Sequence, residues 1–380
     1  MTFRTGGVTF GEKGILCRLF RSCGRKTMKC CGVVCFAVSV LLSLMMAGCV
    51  ETPVRPARRL ILPELEAPAE TQSRRAAEFR ELTGGVRVRG IGIYPAGMRG
   101  NGIPATEILD RIEALGFNRI YCHLSSEKQL DEFLRDLIVA ASGRNIPVEI
   151  VLNQRDFYRR ATGNKLVRLF RPSYPRLDEA AKLVSEFNSL LPEGVRLAGL
   201  TVISEPHLFT AVNPDIPPDS LYYWSEDSFG PDLDNALLMR EALDMLGRVA
   251  AENPELPLTS GMADFYHELA ESGKLPLGKI SDFCAISPRV MLLDYGNKPS
   301  AAATAVENEL AALPGGCSAL VGINLAGHTS VDAGALRRRD WRDLMRGMKY
   351  LLGRFGRHAG FEGFVLAPLS ALEFIRMERE

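Results

Sequence analysis

The chain has 380 residues, 46% of them hydrophobic, which excludes a disordered protein and suits one large α/β domain once the ends are set aside. With 46 basic residues against 45 acidic ones the formal charge is +1, so no global field draws the chain to nucleic acid or to an anionic surface. Any electrostatic preference has to be local.

Residues 1–27 show no periodic pattern and read as an upstream extension, because Met28 alone opens a signal of ordinary length. From Met28 the chain runs MKCCGVVCFAVSVLLSLMMAGC: Lys29 supplies a positive end, residues 30–46 are apolar, and Met46-Ala47-Gly48-Cys49 closes the run. The run is shorter than the roughly 20 residues that span a bilayer comfortably, which favours a signal peptide over a transmembrane anchor. From Val50 the composition shifts to Pro, Glu, Arg and Ala, which have little to bury, so residues 50–85 read as a tether with a short helix at 74–82. The expected organisation is therefore 1–48 extension and signal, 49–85 tether, and 86–380 folded domain.

Beyond the tether, strand-like apolar runs fall at residues 88–94, 119–124, 148–152, 197–203, 256–260, 283–286, 319–325 and 361–366. Helical patterns fill the gaps at 105–115, 127–142, 177–190, 234–253, 266–272, 301–313 and 340–355. Continuous apolar strands alternating with amphipathic helices predict a parallel sheet covered on its outer face, and eight units predict a closed (β/α)8 TIM barrel. A doubly wound open sheet is the alternative. It would usually show a glycine-rich turn after the first strand, and Tyr94-Pro95-Ala96-Gly97-Met98-Arg99 has no GxGxxG.

Of nine cysteines, Cys17, Cys23, Cys30, Cys31, Cys35 and Cys49 lie in or before the signal. Cys122, Cys284 and Cys317 remain. They match no zinc spacing, each lies in or beside an apolar run, and their odd number argues against a disulfide framework, so buried free thiols are expected.

In a TIM barrel the side chains just past each strand converge on one mouth, where the chemistry is done. Here these are Tyr94, His123, Asn153 with Gln154, Glu205 with His207, Asp264, Ser287 with Arg289, Asn324 with His328, and Ser370. Without an HxH or HExxH pattern no metal is expected, and no cofactor. Two long loops belong to the same face. The one after the third strand interleaves arginines with Phe157, Tyr158, Phe170 and Tyr174, and the one after the fourth is acidic around Tyr222, Tyr223 and Trp224. Aromatic faces stack on sugar rings and guanidinium groups hold carboxylates or sulfates, so the loops either contact a glycan or pair with each other over the mouth.

Two resemblances add to this reading. Met46-Ala47-Gly48-Cys49 resembles the lipobox of bacterial lipoproteins, which implies a lipid on Cys49 and a chain anchored in the cell envelope, facing the periplasm or the exterior. The segments GLTVISEPH, SDFCAISPR, LVGINLAG and FEGFVLAPLSAL together resemble bacterial glycoside hydrolase-like TIM barrels of the chitinase-like group. Gly199, Glu205, Pro206 and His207 match the fourth-strand pattern, which implies Glu205 as catalytic acid; from their places at the mouth, Tyr94, His123, Asn153, His207, Arg289 and Asn324, with Trp224 of the acidic loop, are expected to bind substrate, His207 or Arg289 also tuning the acid. Four positions depart from the pattern: Ile203 where an acid is expected, Arg289 for a tyrosine, Asn324 for a glutamate and Ala367 for a histidine.

Glycoside hydrolysis usually needs two carboxyl groups about 5 to 9.5 Å apart. No second one is fixed by motif; Asp264 and Asp294 are candidates by position, and Tyr295 could orient an acetamido group only if the sixth strand runs longer. Two readings stay open. One is a lipid-anchored glycoside hydrolase acting on a polysaccharide or envelope glycan. The other is a glycan-binding or scaffold barrel that has lost turnover. The expected partners are a glycan and the membrane, with no nucleic acid.

Overall fold

The computed structural model describes residues 69–100, 102–160, 170–172, 174–208, 234–273, 275–294, 299–325 and 341–369. The described part begins with helix α1 (Ala69–Thr83) and then alternates β1 (Val88–Ile93), α2 (Pro95–Gly100), α3 (Ala105–Ala114), β2 (Arg119–Leu124), α4 (Glu132–Gly143) and β3 (Val148–Asn153). A hairpin of β4 (Tyr158–Arg160) and β5 (Phe170–Pro172) follows, then α5 (Tyr174–Ser189), β6 (Gly199–Ile203), α6 (Asp234–Glu252) and β7 (Leu258–Ala263). The last elements are α7 (Tyr266–Glu271), α8 (Ile280–Cys284), β8 (Arg289–Leu293), α9 (Pro299–Ala311), β9 (Ser318–Asn324), α10 (Trp341–Phe355) and β10 (Phe361–Ala367).

Eight strands close a barrel in the order β1-β10-β9-β8-β7-β6-β3-β2, every neighbouring pair parallel. The fold is a (β/α)8 TIM barrel. Strand alternation divides its core in two. Residues such as Ile91, Ile120, Ile150, Val202, Val290, Val321 and Phe364 pack outward against the helices. Val88, Tyr121, Val151, Ile203, Met291, Leu320 and Val365 form a separate apolar cluster inside the barrel. Tyr121 fits there because Gly90 opposite it has no side chain: a Cβ on Gly90 would lie 2.6 Å from the Tyr121 ring.

The structure departs from the sequence reading in three places. Residues 283–286 are not the sixth strand. Asp282 accepts the backbone N–H groups of Gly278 and Lys279 at 2.8 and 3.0 Å, which opens helix α8 there, and the strand is the next apolar run, beginning at Arg289. The helix expected at 74–82 starts earlier and packs on the barrel wall, its Phe79 fully buried at 6.1 Å from the Phe364 ring. Cys284 and Cys317 are not free thiols: they form a disulfide with Cα atoms 5.9 Å apart, inside the usual range for such bridges, and Cys122 alone is a buried free thiol among the described residues. The two meet because Cys284 ends α8 and Cys317 leads into β9, on the same rim as the start of β8.

Candidate functional site

The alternation that puts the interior cluster inside continues to the carboxyl end of each strand. The alternation puts His123 above Tyr121, Asn153 above Val151, Glu205 above Ile203, Leu293 above Met291, Asn324 two steps above Leu320, and Ala367 above Val365. For Glu205 it holds past the strand end, because Ser204 N–H continues the ladder to the Gly261 carbonyl at 3.0 Å. Tyr94 follows β1, half exposed, with its ring stacked on His123 at 4.8 Å and 22° between planes. Gly92 makes room for that pair: a Cβ there would meet Ala367 Cβ at 2.6 Å and His123 Nε2 at 3.1 Å. By this alternation Tyr94, His123, Asn153, Glu205 and Asn324 fall at the mouth.

Glu205 is 2% exposed and its strand end is held from the neighbouring strand. The Gln154 side-chain carbonyl accepts the Ser204 hydroxyl at 3.1 Å and the Glu205 backbone N–H at 3.0 Å. Gln154, itself 1% exposed, is therefore a positioning residue and not a mouth group. His207 also departs from expectation. The 3-10 turn Pro206–Leu208 rotates it into the protein, where it is 2% exposed, bonded through Nδ1 to the Tyr266 hydroxyl and packed edge-on against Phe265 at 5.1 Å. It buttresses the turn behind Glu205. Tyr266, which the sequence reading did not single out, carries no motif that would have linked it to His207.

Arg289 lies at the other end of the barrel. Because β8 starts at Arg289, two residues before Met291, its guanidinium reaches the floor of the interior: Nη2 donates to Glu149 at 2.6 Å and Nε to the Thr259 hydroxyl at 2.8 Å. Arg119 also bonds Glu149, and the Thr201 hydroxyl donates to it at 2.9 Å. Burial alone would lower the Arg119 pKa, but the Glu149 charge and hydrogen bond raise it above the ordinary value. This floor was missed in the sequence; its one signal is Glu149 inside the apolar run VEIVLN.

The positional candidates for a second carboxylate, Asp264 and Asp294, fall out of step with the inward residues. The ladder continues through Asp264 N–H to the Leu293 carbonyl at 3.2 Å and through Asp294 N–H to the Gly322 carbonyl at 3.0 Å. That continuation puts both one step past an inward residue. Asp264 accordingly acts on Glu309 of α9, a buried carboxyl whose pKa is raised to about 9 by burial, partly opposed by the His267 N–H it accepts, and by the charges of Asp264 and Glu268. Among the described residues, Glu205 is the one carboxylate at the eight inward strand ends. Leu293, Ala263 and Ala367 make the other sectors apolar. Trp224, Tyr295, His328, Ser370 and Cys49 lie outside the described residues, as do the acidic loop and most of the arginine-rich one.

No protein-family model matches the chain, and no curated protein sequence matches it. Solved structures are similar in fold. A chitinase from Chromobacterium violaceum is 15% identical, with 76% of this chain and 99% of that one covered and a TM-score of 0.41. A GH18 chitinase from Pseudoalteromonas aurantia is 13% identical over 74% and 94%, with a TM-score of 0.43. An endo-1,4-beta-mannanase from Eisenia fetida is 13% identical over 75% and 86%, with a TM-score of 0.41. These neighbours are glycoside hydrolase barrels, and the likeness is one of fold; no residue role is carried over from them.

Proposed function

We propose that the chain is a lipid-anchored envelope protein whose barrel mouth binds a glycan without hydrolysing it by the two-carboxylate route. One observation carries the reading: among the described residues Glu205 is the single carboxylate at the inward strand ends, beside the phenol, imidazole and amide groups of Tyr94, His123, Asn153 and Asn324 and an apolar sector. Amide, phenol and imidazole groups match sugar hydroxyls, the exposed Tyr94 ring offers a stacking face, and Leu293 suits the apolar face of a pyranose. Double displacement or inversion needs a second carboxylate a few ångströms away, and among the described residues the two positional candidates, Asp264 and Asp294, each fall one step past an inward residue.

The anchoring part rests on Met46-Ala47-Gly48-Cys49, and the Cys284–Cys317 bridge supports it, because disulfides persist in oxidising compartments outside the cytoplasm. A hydrolytic reading keeps one support of its own: Glu205 is buried at a strand end and fixed by Gln154, as a leaving-group acid would be.

A glycan array probed with the full chain, followed by mass spectrometry of the captured glycans, decides between them. The expected result is retention of at least one glycan class with intact chains. Shortened products that disappear in Glu205→Gln would replace the binding reading with the hydrolytic one, and no retention of any glycan would remove both.

A further inference from the structure

The outward side of α10 is a basic stripe. Arg342, Arg346 and Lys349 recur at spacings of four and three residues, all exposed, and Arg357 continues the line just past the helix end. The opposite side buries Leu344, Met348, Leu351 and Phe355. Asp343 is the single acidic residue of the helix, paired with Arg346 at 3.1 Å, while Arg354 turns aside to Glu307 of α9. In a chain whose whole charge is +1 such a concentration is local.

The elements beside α10 are α9 and α1, and α1 is the first described element of the barrel domain after Cys49. Trp341, the first residue of α10, donates its indole N–H to Glu78 at 2.8 Å, lies 6.4 Å from the Phe79 ring and carries the Arg75 guanidinium 5.2 Å above it. Chain entry and basic stripe therefore share one side of the barrel.

We infer that this α1–α10 side rests on the anionic lipid headgroups of the membrane that holds Cys49. The inference depends on the lipoprotein part of the proposed function, not on the glycan part. The 19 residues from 50 to 68 span at most about 65 Å even when fully extended, which keeps the domain near the bilayer. A basic surface on the side where the tether arrives then meets lipid phosphates, an attraction that salt screens. Because α10 runs along the barrel wall between β9 and β10, this seating lays the barrel on its side and leaves the mouth open at one end.

The full chain is incorporated into vesicles of phosphatidylcholine, alone or mixed with phosphatidylglycerol, its lysines are acylated, and each site is quantified by mass spectrometry. Acylation of Lys349 is expected to fall about threefold on the anionic vesicles and to recover in high salt. Lys182, exposed on α5 across the barrel, keeps its labelling in both. Arg342→Glu with Arg346→Glu removes the protection of Lys349. Equal labelling of Lys349 on both vesicles, or protection that survives the double charge reversal, overturns the inference. An intact mass without acyl chains on Cys49 overturns the lipoprotein reading instead, so the two failures are told apart.

Discussion

The side-chain carbonyl of Gln154 receives the backbone N–H of Glu205 at 3.0 Å, which fixes the end of β6 to the end of the neighbouring β3. The same oxygen takes the Ser204 hydroxyl, so one buried acceptor serves two donors. Gln154→Ala leaves both without a partner, at a cost of about 1–3 kcal/mol in stability. It should also weaken binding of the array-selected glycan, because Glu205 loses its anchor. Urea unfolding and titration calorimetry measure the two effects; a variant that keeps both its midpoint and its affinity would show that Gln154 positions nothing.

Glu149 holds the opposite end of the barrel. It is fully buried and shared by Arg119 and Arg289, whose side chains are 21% and 16% exposed. Glu149→Gln leaves two guanidinium groups facing each other without a counter-charge, with an expected loss of about 3–5 kcal/mol, as for breaking a buried pair. Replacing both Glu149→Leu and Arg289→Met should recover much of it, since Arg119 can then turn to solvent. Glycan affinity of the folded fraction should not change, because this cluster and the mouth are at opposite ends. A single variant as stable as the parent would refute the account.

Glu309 makes the barrel sensitive to alkali. Its folded pKa of about 9 lies far above the usual carboxylate value, because burial disfavours the charged form and Asp264 and Glu268 add like charge. Between the unfolded pKa near about 4.3 and the folded value, the folded chain holds one proton that the unfolded chain has released. Stability therefore falls as pH rises through that window and the loss levels off above about pH 9. Glu309→Gln keeps an acceptor for the His267 N–H without the charge, so it should raise the melting temperature at pH 8 more than at pH 5. Equal shifts at the two pH values would mean that Glu309 does not titrate in this range.

The barrel was legible because apolar runs alternate with helical periods, and strand alternation puts Tyr94, His123, Asn153, Glu205 and Asn324 at the strand ends. What failed had local causes. The runs at 283–286 and 290–293 are both short and apolar, and periodicity cannot tell a buried helical turn from a strand at that length. Choosing the first carried Arg289 from the floor to the mouth. His207 fits the inward alternation on paper, but the 3-10 turn at Pro206 breaks it. Glu149 and its two arginines come from β2, β3 and β8, so their meeting depends on barrel closure, which no local pattern records.

The Cys284–Cys317 bridge was invisible for the same reason, and it yields the last prediction. The half-cystines are 33 residues apart in sequence and adjacent only because β8 and β9 are neighbours. Closing a loop of that length removes unfolded-state entropy worth about 4 kcal/mol in the chain-entropy model. Cys284→Ala with Cys317→Ala should lower stability by an amount of that order, and dithiothreitol should destabilise the parent but not the double variant. Glycan affinity should be retained, since the bridge lies on the rim where β8 begins and Glu205 at the rim where β6 ends. A non-reducing peptide map of protein recovered from the envelope should contain the Cys284–Cys317 cross-linked peptide; finding both thiols free there would remove the bridge and, with it, its support for an oxidising compartment.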